Sequence, residues 1–212
     1  MTAYEYLVQQ YGVPTDGPTM PIEIPGVQRD ALATMFAALG FHRGVEIGTL
    51  RGEYAKVLCQ ANPALHLTCV DAWSAYLGFT DQTEQKKLDD CEAIARKRLA
   101  PFGCTLVKGL STDVARRFPD QSVDFVYIDA NHRFEYVVAD IAAWLPKIRP
   151  GGVISGHDYC TRRLRKGVDM RVLDAVHGWT SSYDVTPWYV LGRGKIRKGE
   201  LADRMRSWLW MV

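Results

Sequence analysis

Short, nearly unbroken apolar runs alternate along this chain with longer stretches in which apolar residues recur every three or four positions. The first kind predicts strands buried on both faces, the second amphipathic helices. Strands are expected at "GVEIG" (44–48), "LHLTCVDAW" (65–73), "CTLVKG" (104–109), "VDFVYIDA" (123–130) and "GGVISGHD" (151–158). Helical spacing starts near Gly52 and returns in "EQKKLDDCEAIARKRLA", "STDVARRF" and "FEYVVADIAAWLPKI". Repeated strand-then-helix units predict an α/β fold: a Rossmann-like, doubly wound, mostly parallel sheet covered by helices on both faces.

Both ends break this rhythm. "AYEYLVQQY" predicts a short helix, and the prolines and glycines of "GVPTDGPTMPIEIPG" exclude a helix or a central strand. Residues 1–40 therefore read as an N-terminal helical or lid segment, and 41–160 as the cofactor-binding core. Residues 161–212 hold a basic loop, "CTRRLRKG" from Cys160 on, and a helix "VDMRVLDAVHGW". After them come two strands around "SSYDV" and "WYVLGRGK", and a tail, "LADRMRSWLWMV", with amphipathic helical spacing. The expected sheet has seven strands and ends in a C-terminal antiparallel hairpin.

Composition narrows the partners. The 212 residues, 47% of them hydrophobic, suit a single domain over 1–212 with one substantial core. The 26 basic and 24 acidic residues are spread along the chain for a net charge of +2, which leaves no electrostatic footprint for nucleic acid or a membrane surface. Cys59, Cys69, Cys91, Cys104 and Cys160 show no CxxC spacing and read as reduced thiols. With no signal-peptide pattern in "MTAYEYLVQQYG" and no apolar run near the roughly 18 residues of a membrane span, a cytoplasmic protein is expected.

Ligands of such sheets bind beyond the carboxyl ends of the strands, so the residues ending each strand carry the candidate chemistry. In "VEIGTLRGEYA", Gly48 and Gly52 bracket a sharp strand-to-helix turn, with Glu46 just upstream. A dinucleotide fingerprint, G-x-G-x-x-G, would place a glycine where Leu50 stands, which weakens a pyrophosphate reading. Asp71 ends "CVDAW", where an acid can accept from both ribose hydroxyls or simply hold a turn. In "KGLSTD", Gly109 and Ser111 can flank a base, while Ser111 or Thr112 can equally cap the next helix.

Taken in order, "VEIGTLRG", "VDAW", "GLS", "VDFVYIDANH" and "RPGGVISGHDY" resemble a class I S-adenosylmethionine-dependent methyltransferase over roughly residues 40–160. Within that superfamily the chain is most similar to the small, often metal-dependent O-methyltransferases. This is the group that includes macrolide-sugar and catechol methyltransferases and cephalosporin-hydroxylase-like relatives. The resemblance implies Glu46, Gly48, Thr49 and Gly52 around the amino-acid end of S-adenosyl-L-methionine. It implies Asp71, with Ala72 and Trp73, at the ribose, Gly109, Leu110 and Ser111 beside the adenine, and Asp129 at the reacting end.

A greasy strand that ends in Asp129, Asn131 and His132 needs a reason to place such groups there. If the fourth and fifth strands are neighbours, about 4.8 Å apart, their tips bring Asp129, His132, His157 and Asp158 together. Methyl transfer to an alcohol needs a positioned oxygen that loses its proton, and a divalent cation or a base can arrange that. Asp129, His157 and Asp158 are the expected ligands for Mg2+ or Mn2+, and His132, with an ordinary pKa of about 6.5, the expected base. The family's site has an acid pair or acid–amide pair where this chain has His157-Asp158, so metal-free chemistry stays open.

The expected reaction is O-methylation of a small-molecule or sugar hydroxyl. Its rivals are a dinucleotide-dependent oxidoreductase and a binding or scaffold protein that keeps the pocket without the chemistry. "DANH" lacks the N/D-P-P-Y/F pattern of base methyltransferases, so nucleic acid is not expected. Trp188 and Tyr189 are further candidates for a pocket wall, and Arg162, Arg163, Arg165 and Lys166 for steering an acidic substrate. Oligomeric state is left open.

Overall fold

The computed structural model describes residues 1–14, 19–76, 78–79, 84–163, 169–192 and 205–212, the side chain of Arg163 excepted. In chain order the elements begin with α1 (Ala3–Tyr11), β1 (Ile22–Ile24), α2 (Arg29–Ala38), β2 (Arg43–Ile47), α3 (Glu53–Ala61) and β3 (His66–Asp71). Then come α4 (Gln85–Leu99), β4 (Thr105–Lys108), α5 (Ser111–Ala115), β5 (Val123–Ile128), α6 (Phe134–Trp144) and β6 (Ile148–Gly156). The last are β7 (Thr161–Arg163), β8 (Asp169–Arg171), α7 (Val172–Ser182), β9 (Trp188–Leu191) and β10 (Ser207–Met211).

Eight strands form one sheet in the order β1-β9-β10-β6-β5-β2-β3-β4, in which only β10 runs against its neighbours. From β2 the chain builds outward to β3 and β4, then returns to lay β5 on the other side of β2. The strand order therefore reverses between the tips of β2 and β5, where such sheets leave a crevice for ligands.

Two apolar layers sandwich the sheet. On one face α1, α2 and α3 cover Phe125, Tyr127, Val153 and Leu209, and the Phe36 ring stacks on that of Phe125 at 4.1 Å. Gly44 pairs with Phe125 across β2 and β5, and a Cβ there would run into the Phe125 ring. Small beside large lets the aromatic layer close on the sheet. On the other face α6 and α7 pack Trp144, Ile141 and Val176 over Val126, Ile154, Trp208 and Trp210. All five cysteines are free thiols. Among the described residues no helix is long and apolar enough to cross a membrane.

The core strands and helices lie where the apolar pattern predicts, and the ends differ. "SWLWM" is not part of an amphipathic helix but strand β10, inserted antiparallel between β6 and β9. Trp208 and Trp210 point to one face and stack at 5.1 Å, as residues two apart in a strand must. The antiparallel partner of β9 is accordingly β10 and not "SSYDV", whose serines close α7. Residues 193–195 of the expected second strand and 201–204 of the tail lie outside the described residues. The helix expected from Val168 starts only at Val172, because Asp169–Arg171 pair as β8 with β7 in a separate two-stranded hairpin. Arg165 and Lys166 of the basic loop lie outside the described residues. "IEI" adds the eighth strand at the sheet edge beside β9, where flanking prolines are tolerated.

Candidate active site at the strand tips

A cavity of about 500 Å³ opens above the tips of β2, β3, β4 and β5. Glu46, Gly48, Thr49, Asp71 and Ala72 line it from the first two of these strands, Gly109, Leu110 and Ser111 from the third. Asp129 and His132 line it from the fourth. Gly52, Trp73, His157 and Asp158 are not among its lining residues. Trp73 is fully buried in a small cluster with Cys91 and Ala95, and its indole N–H donates to Leu50 O at 2.8 Å. It braces the glycine turn from behind instead of facing a ribose. Trp188 and Tyr189, the other aromatic candidates, are also core residues away from the cavity lining.

The glycine turn works through packing. Gly48, with φ of +89°, passes so close to β5 that a Cβ would collide with the backbone of Asp129 and Ala130. Its N–H donates to Val70 O at 2.8 Å and that of Gly52 to Thr49 O at 2.7 Å, so neither is left for a ligand. Gly52 adopts the left-handed conformation that starts α3, with Leu99 lying over it. The turn brings the end of β2 against Asp129 and leaves the side chains to meet a ligand.

Glu46 is 2% exposed on β2. Burial pushes its carboxyl up to about 8, only partly offset by the nearby Thr49 hydroxyl, which stands outside hydrogen-bonding geometry. Glu46 Oε2 and Thr49 Oγ1 are thus two buried acceptors without a protein partner. Each such group costs about 1–3 kcal/mol unless a ligand satisfies it. An ammonium group between them would do so, and the amino-acid end of S-adenosylmethionine carries one.

Asp71 ends β3 with both oxygens engaged: Oδ2 accepts from Leu50 N–H at 2.7 Å, Oδ1 from Trp73 N–H at 2.8 Å. Burial raises its pKa against these two donors. It holds the turns after β2 and β3 together, and each oxygen keeps a second lone pair for a ligand hydroxyl. Ser111 caps nothing. The N-cap of α5 is Leu110, and Ser111 Oγ accepts from the Trp144 indole N–H at 2.8 Å.

At the opposite end, β5 and β6 are adjacent and in register, Ile128 beside Gly156. Asp129 N–H donates to Ile47 O at 2.8 Å and His157 N–H to Ile128 O at 3.0 Å, which extends the ladder by one residue on each side. His132 Nε2 lies 2.8 Å from Asp158 Oδ2 and 3.5 Å from Asp129 Oδ1. His157 Nδ1 lies 3.3 Å from Asp158 Oδ1 and 3.7 Å from Asp129 Oδ2. Burial raises the Asp158 carboxyl, but hydrogen bonds from His132 and His157 outweigh it and hold it well below the usual carboxylate range. His132 is not the cap of α6, whose N-cap is Arg133, and its carbonyl accepts from Arg171 N–H of β8 at 2.7 Å.

Among the described residues, one group of side chains brings three metal-competent donor atoms within 4.8 Å of one another: Asp129, His132 and Asp158. An oxygen–nitrogen–oxygen set fits Mg2+ or Mn2+ chemistry. His132 belongs to it in place of the expected His157.

Three cleft residues escaped the sequence reading. Arg29, at the start of α2, places Nη1 3.4 Å from Asp129 Oδ2 and lies over the Tyr54 ring at 5.0 Å. Tyr76 stacks on Phe79 at 5.1 Å, and Asn131 holds that loop by donating to Tyr76 Oη at 3.3 Å and Gly78 O at 3.2 Å. Asp140 lies on the buried stripe of α6, a position where an acid in an otherwise apolar pattern was a legible signal.

Residues 45–159, more than half the chain, match the family described as "Methyltransferase domain". A curated relative, the uncharacterised protein y4gI of Sinorhizobium fredii, is 29% identical over 137 residues, 62% of this chain. That stretch spans only 14% of the relative's length. Among solved structures, the O-methyltransferase of Bacillus cereus in complex with SAH superposes with a TM-score of 0.58 at 17% identity, covering 99% of this chain and 90% of that one. The O-methyltransferase TomG of Streptomyces achromogenes, involved in tomaymycin synthesis and solved with SAM, gives 0.55 at 16%, covering 99% and 89%. At such identities the likeness establishes the fold. With the matched segment reaching from β2 to the tip of β6, the chain belongs to the methyltransferase-domain family.

Proposed function

We propose that this protein transfers a methyl group from S-adenosylmethionine to a hydroxyl of a small molecule, such as a sugar or a phenol. The observation that carries the reading is one cavity that Glu46 and Asp71 line from the neighbouring strands β2 and β3, and Asp129 and His132 from the tip of β5 on the other side of β2. S-adenosylmethionine supplies a methyl carbon already activated by its positive sulfonium. The chain's own residues bind, orient and handle the proton. Glu46 and Thr49 accept from the ammonium group, and Asp71 accepts from ribose hydroxyls with its remaining lone pairs. Asp158 fixes the ring of His132, which takes the acceptor's proton.

The clustering of Asp129, His132 and Asp158 favours a second version of the same reaction. There the three side chains hold Mg2+ or Mn2+, and His132 is a ligand instead of the base. A divalent ion supplies a lowered pKa for the acceptor hydroxyl. Calorimetric titration with S-adenosylhomocysteine tests the cofactor end: saturable binding is expected, at least about tenfold weaker in Asp71→Ala, which removes a charged acceptor. Absence of binding to the wild type would end the proposal. Turnover against a panel of sugars and phenols, with and without EDTA, separates the base from the ion.

A further inference from the structure

Three of the five cysteines meet in one apolar layer of the core. Cys59 lies in the last turn of α3, Cys69 in β3, and Cys104 directly before β4. Cys59 Sγ and Cys104 Sγ are 3.4 Å apart, one donating to the other, although 45 residues separate them in sequence. Cys69 is the register partner of Glu46 on β2 and of Leu106 on β4. Cys91 packs in a separate cluster with Trp73 and Ala95.

The three thiols are not equivalent. Cys59 and Cys69 are buried, whereas Cys104 is half-buried, and β4 is an edge strand with no strand beyond it among the described residues. A small solute therefore reaches Cys104 first. Hydrogen bonds from the Cys59 and then the Cys69 thiol hold the Cys104 thiol well below the ordinary thiol range, against its burial. The same contacts, with burial, push Cys59 and Cys69 up. The negative charge of the cluster thus settles on the most exposed of the three, and a thiolate is the form that attacks an oxidant.

We infer that Cys59 and Cys104 are a reversible redox pair, Cys104 the sulfur that meets a hydroperoxide and Cys59 the one that closes a disulfide with it. The pair stands apart from the cleft chemistry and does not depend on the cofactor reading. With hydrogen peroxide, the Cys104 sulfur attacks one oxygen, the O–O bond breaks, and the other oxygen leaves as hydroxide, giving a sulfenic acid. The Cys59 sulfur then attacks that sulfur, the S–O bond breaks, and the departing oxygen takes the Cys59 proton and leaves as water. Two thiols have lost two electrons, and one peroxide, with the protons of both thiols, has become two waters. Going from 3.4 Å to the disulfide length of about 2.05 Å takes only a small shift of the two sulfurs. Left unresolved, a sulfenic acid advances irreversibly to a sulfinic acid, which would put a permanent charge into the layer that holds Cys59 and Cys69.

The test adds hydrogen peroxide to the full chain, blocks the remaining thiols with N-ethylmaleimide in denaturant, and reads the tryptic peptides by mass spectrometry. Trypsin leaves Cys59 and Cys69 in one peptide, 57–86, and Cys104 in another, 99–108, so fragmentation of the linked pair assigns the bridge. Wild type is expected to link Cys59 to Cys104, at least about tenfold faster than Cys91 or Cys160 is oxidised, and to lose the link to dithiothreitol. In Cys59→Ala, with folding checked by thermal unfolding, the sulfinic acid at Cys104 should rise at least about tenfold. In Cys104→Ala, Cys59 should stay reduced at the same dose. Wild type with both thiols still free once Cys160 is oxidised, or with Cys104 bridged to Cys69 instead, overturns the pair and decides the matter even where a variant fails to fold. An unchanged sulfinic fraction in folded Cys59→Ala overturns the resolving role of Cys59.

Discussion

His132 Nε2 lies 2.8 Å from Asp158 Oδ2, although the two residues follow different strands, β5 and β6. One ring nitrogen therefore ties the two strand tips together, and Asp158 depends on it. Burial alone would raise the Asp158 carboxyl, and His132 and then His157 reverse the shift.

The first prediction concerns acid stability. A carboxyl whose folded pKa is depressed contributes stability above its unfolded value of about 3.9 and loses it as pH falls from there toward the folded value. Asp158 has φ of +53°, a conformation asparagine tolerates, so Asp158→Asn removes the charge while sparing the backbone. Urea unfolding should show Asp158→Asn less stable than wild type by about 1–3 kcal/mol at pH 7. The gap should narrow below pH about 4. An equal gap at pH 3 and pH 7 would contradict the linkage.

Glu46 carries the opposite sign. Its folded pKa is raised to about 8, so folding retains a proton that the unfolded chain gives up above roughly pH 4.5. Stability then falls as pH rises, by up to about 1.4 kcal/mol per unit, until the folded group itself ionises. Glu46→Gln removes this penalty. The variant should match wild type near pH 4 and outlast it at pH 8 in thermal unfolding, yet bind S-adenosylhomocysteine at least about tenfold more weakly. Wild-type binding near pH 7 should also release protons, seen as a buffer-dependent calorimetric enthalpy, because an arriving ammonium group favours the carboxylate.

The two glycines of the first turn should differ in cost. At Gly48 a Cβ meets the rigid backbone of Asp129 and Ala130, whereas at Gly52 it meets the Leu99 side chain, 2.9 Å from Cδ1, which can rotate away. Both have positive φ, so both alanine variants carry conformational strain. Gly48→Ala should lose about 3–5 kcal/mol and separate β2 from β5, and Gly52→Ala about 1–2 kcal/mol. Chemical unfolding of the pair gives the comparison, and equal losses would mean that the strand contact is not the constraint.

Strand tips were legible because polar groups ending apolar runs stand out, and in this topology successive tips converge. Glu46, Asp71 and Asp129 could be found that way. The tail could not, because "SWLWM" is apolar on both faces and a five-residue run of that kind fits a buried strand or a helix equally well. Its place between β6 and β9 is decided by tertiary pairing. "IEI" was hidden by its prolines, which exclude a central strand but leave an edge one. Arg29 reaches Asp129 across 100 residues of sequence, a distance no local pattern spans. Which histidine joins Asp129 and Asp158 depends on where the loop after β5 turns back, and the anchor for that turn is Arg171, a residue of a hairpin read from sequence as helix.

That histidine gives the last prediction. The donor atoms of Asp129, His132 and Asp158 converge within 4.8 Å, while His157 Nδ1 points at Asp158 Oδ1 from the side at 3.3 Å. If an ion binds here, His132 is a ligand and His157 positions one. Mn2+ titration followed by electron paramagnetic resonance should find one site in wild type, lost in Asp129→Asn and Asp158→Asn, each of which removes a charged oxygen donor. His132→Asn should weaken it at least about tenfold, and His157→Asn, which alters only the support of a ligand, by no more than that. Binding that survives His132→Asn but not His157→Asn would return the site to the pairing expected from sequence. No Mn2+ binding to wild type, with turnover indifferent to EDTA, would leave Asp158 as the group that orients His132 for taking the proton. Loss of His132 should then lower kcat by about 100-fold or more while S-adenosylhomocysteine affinity stays unchanged.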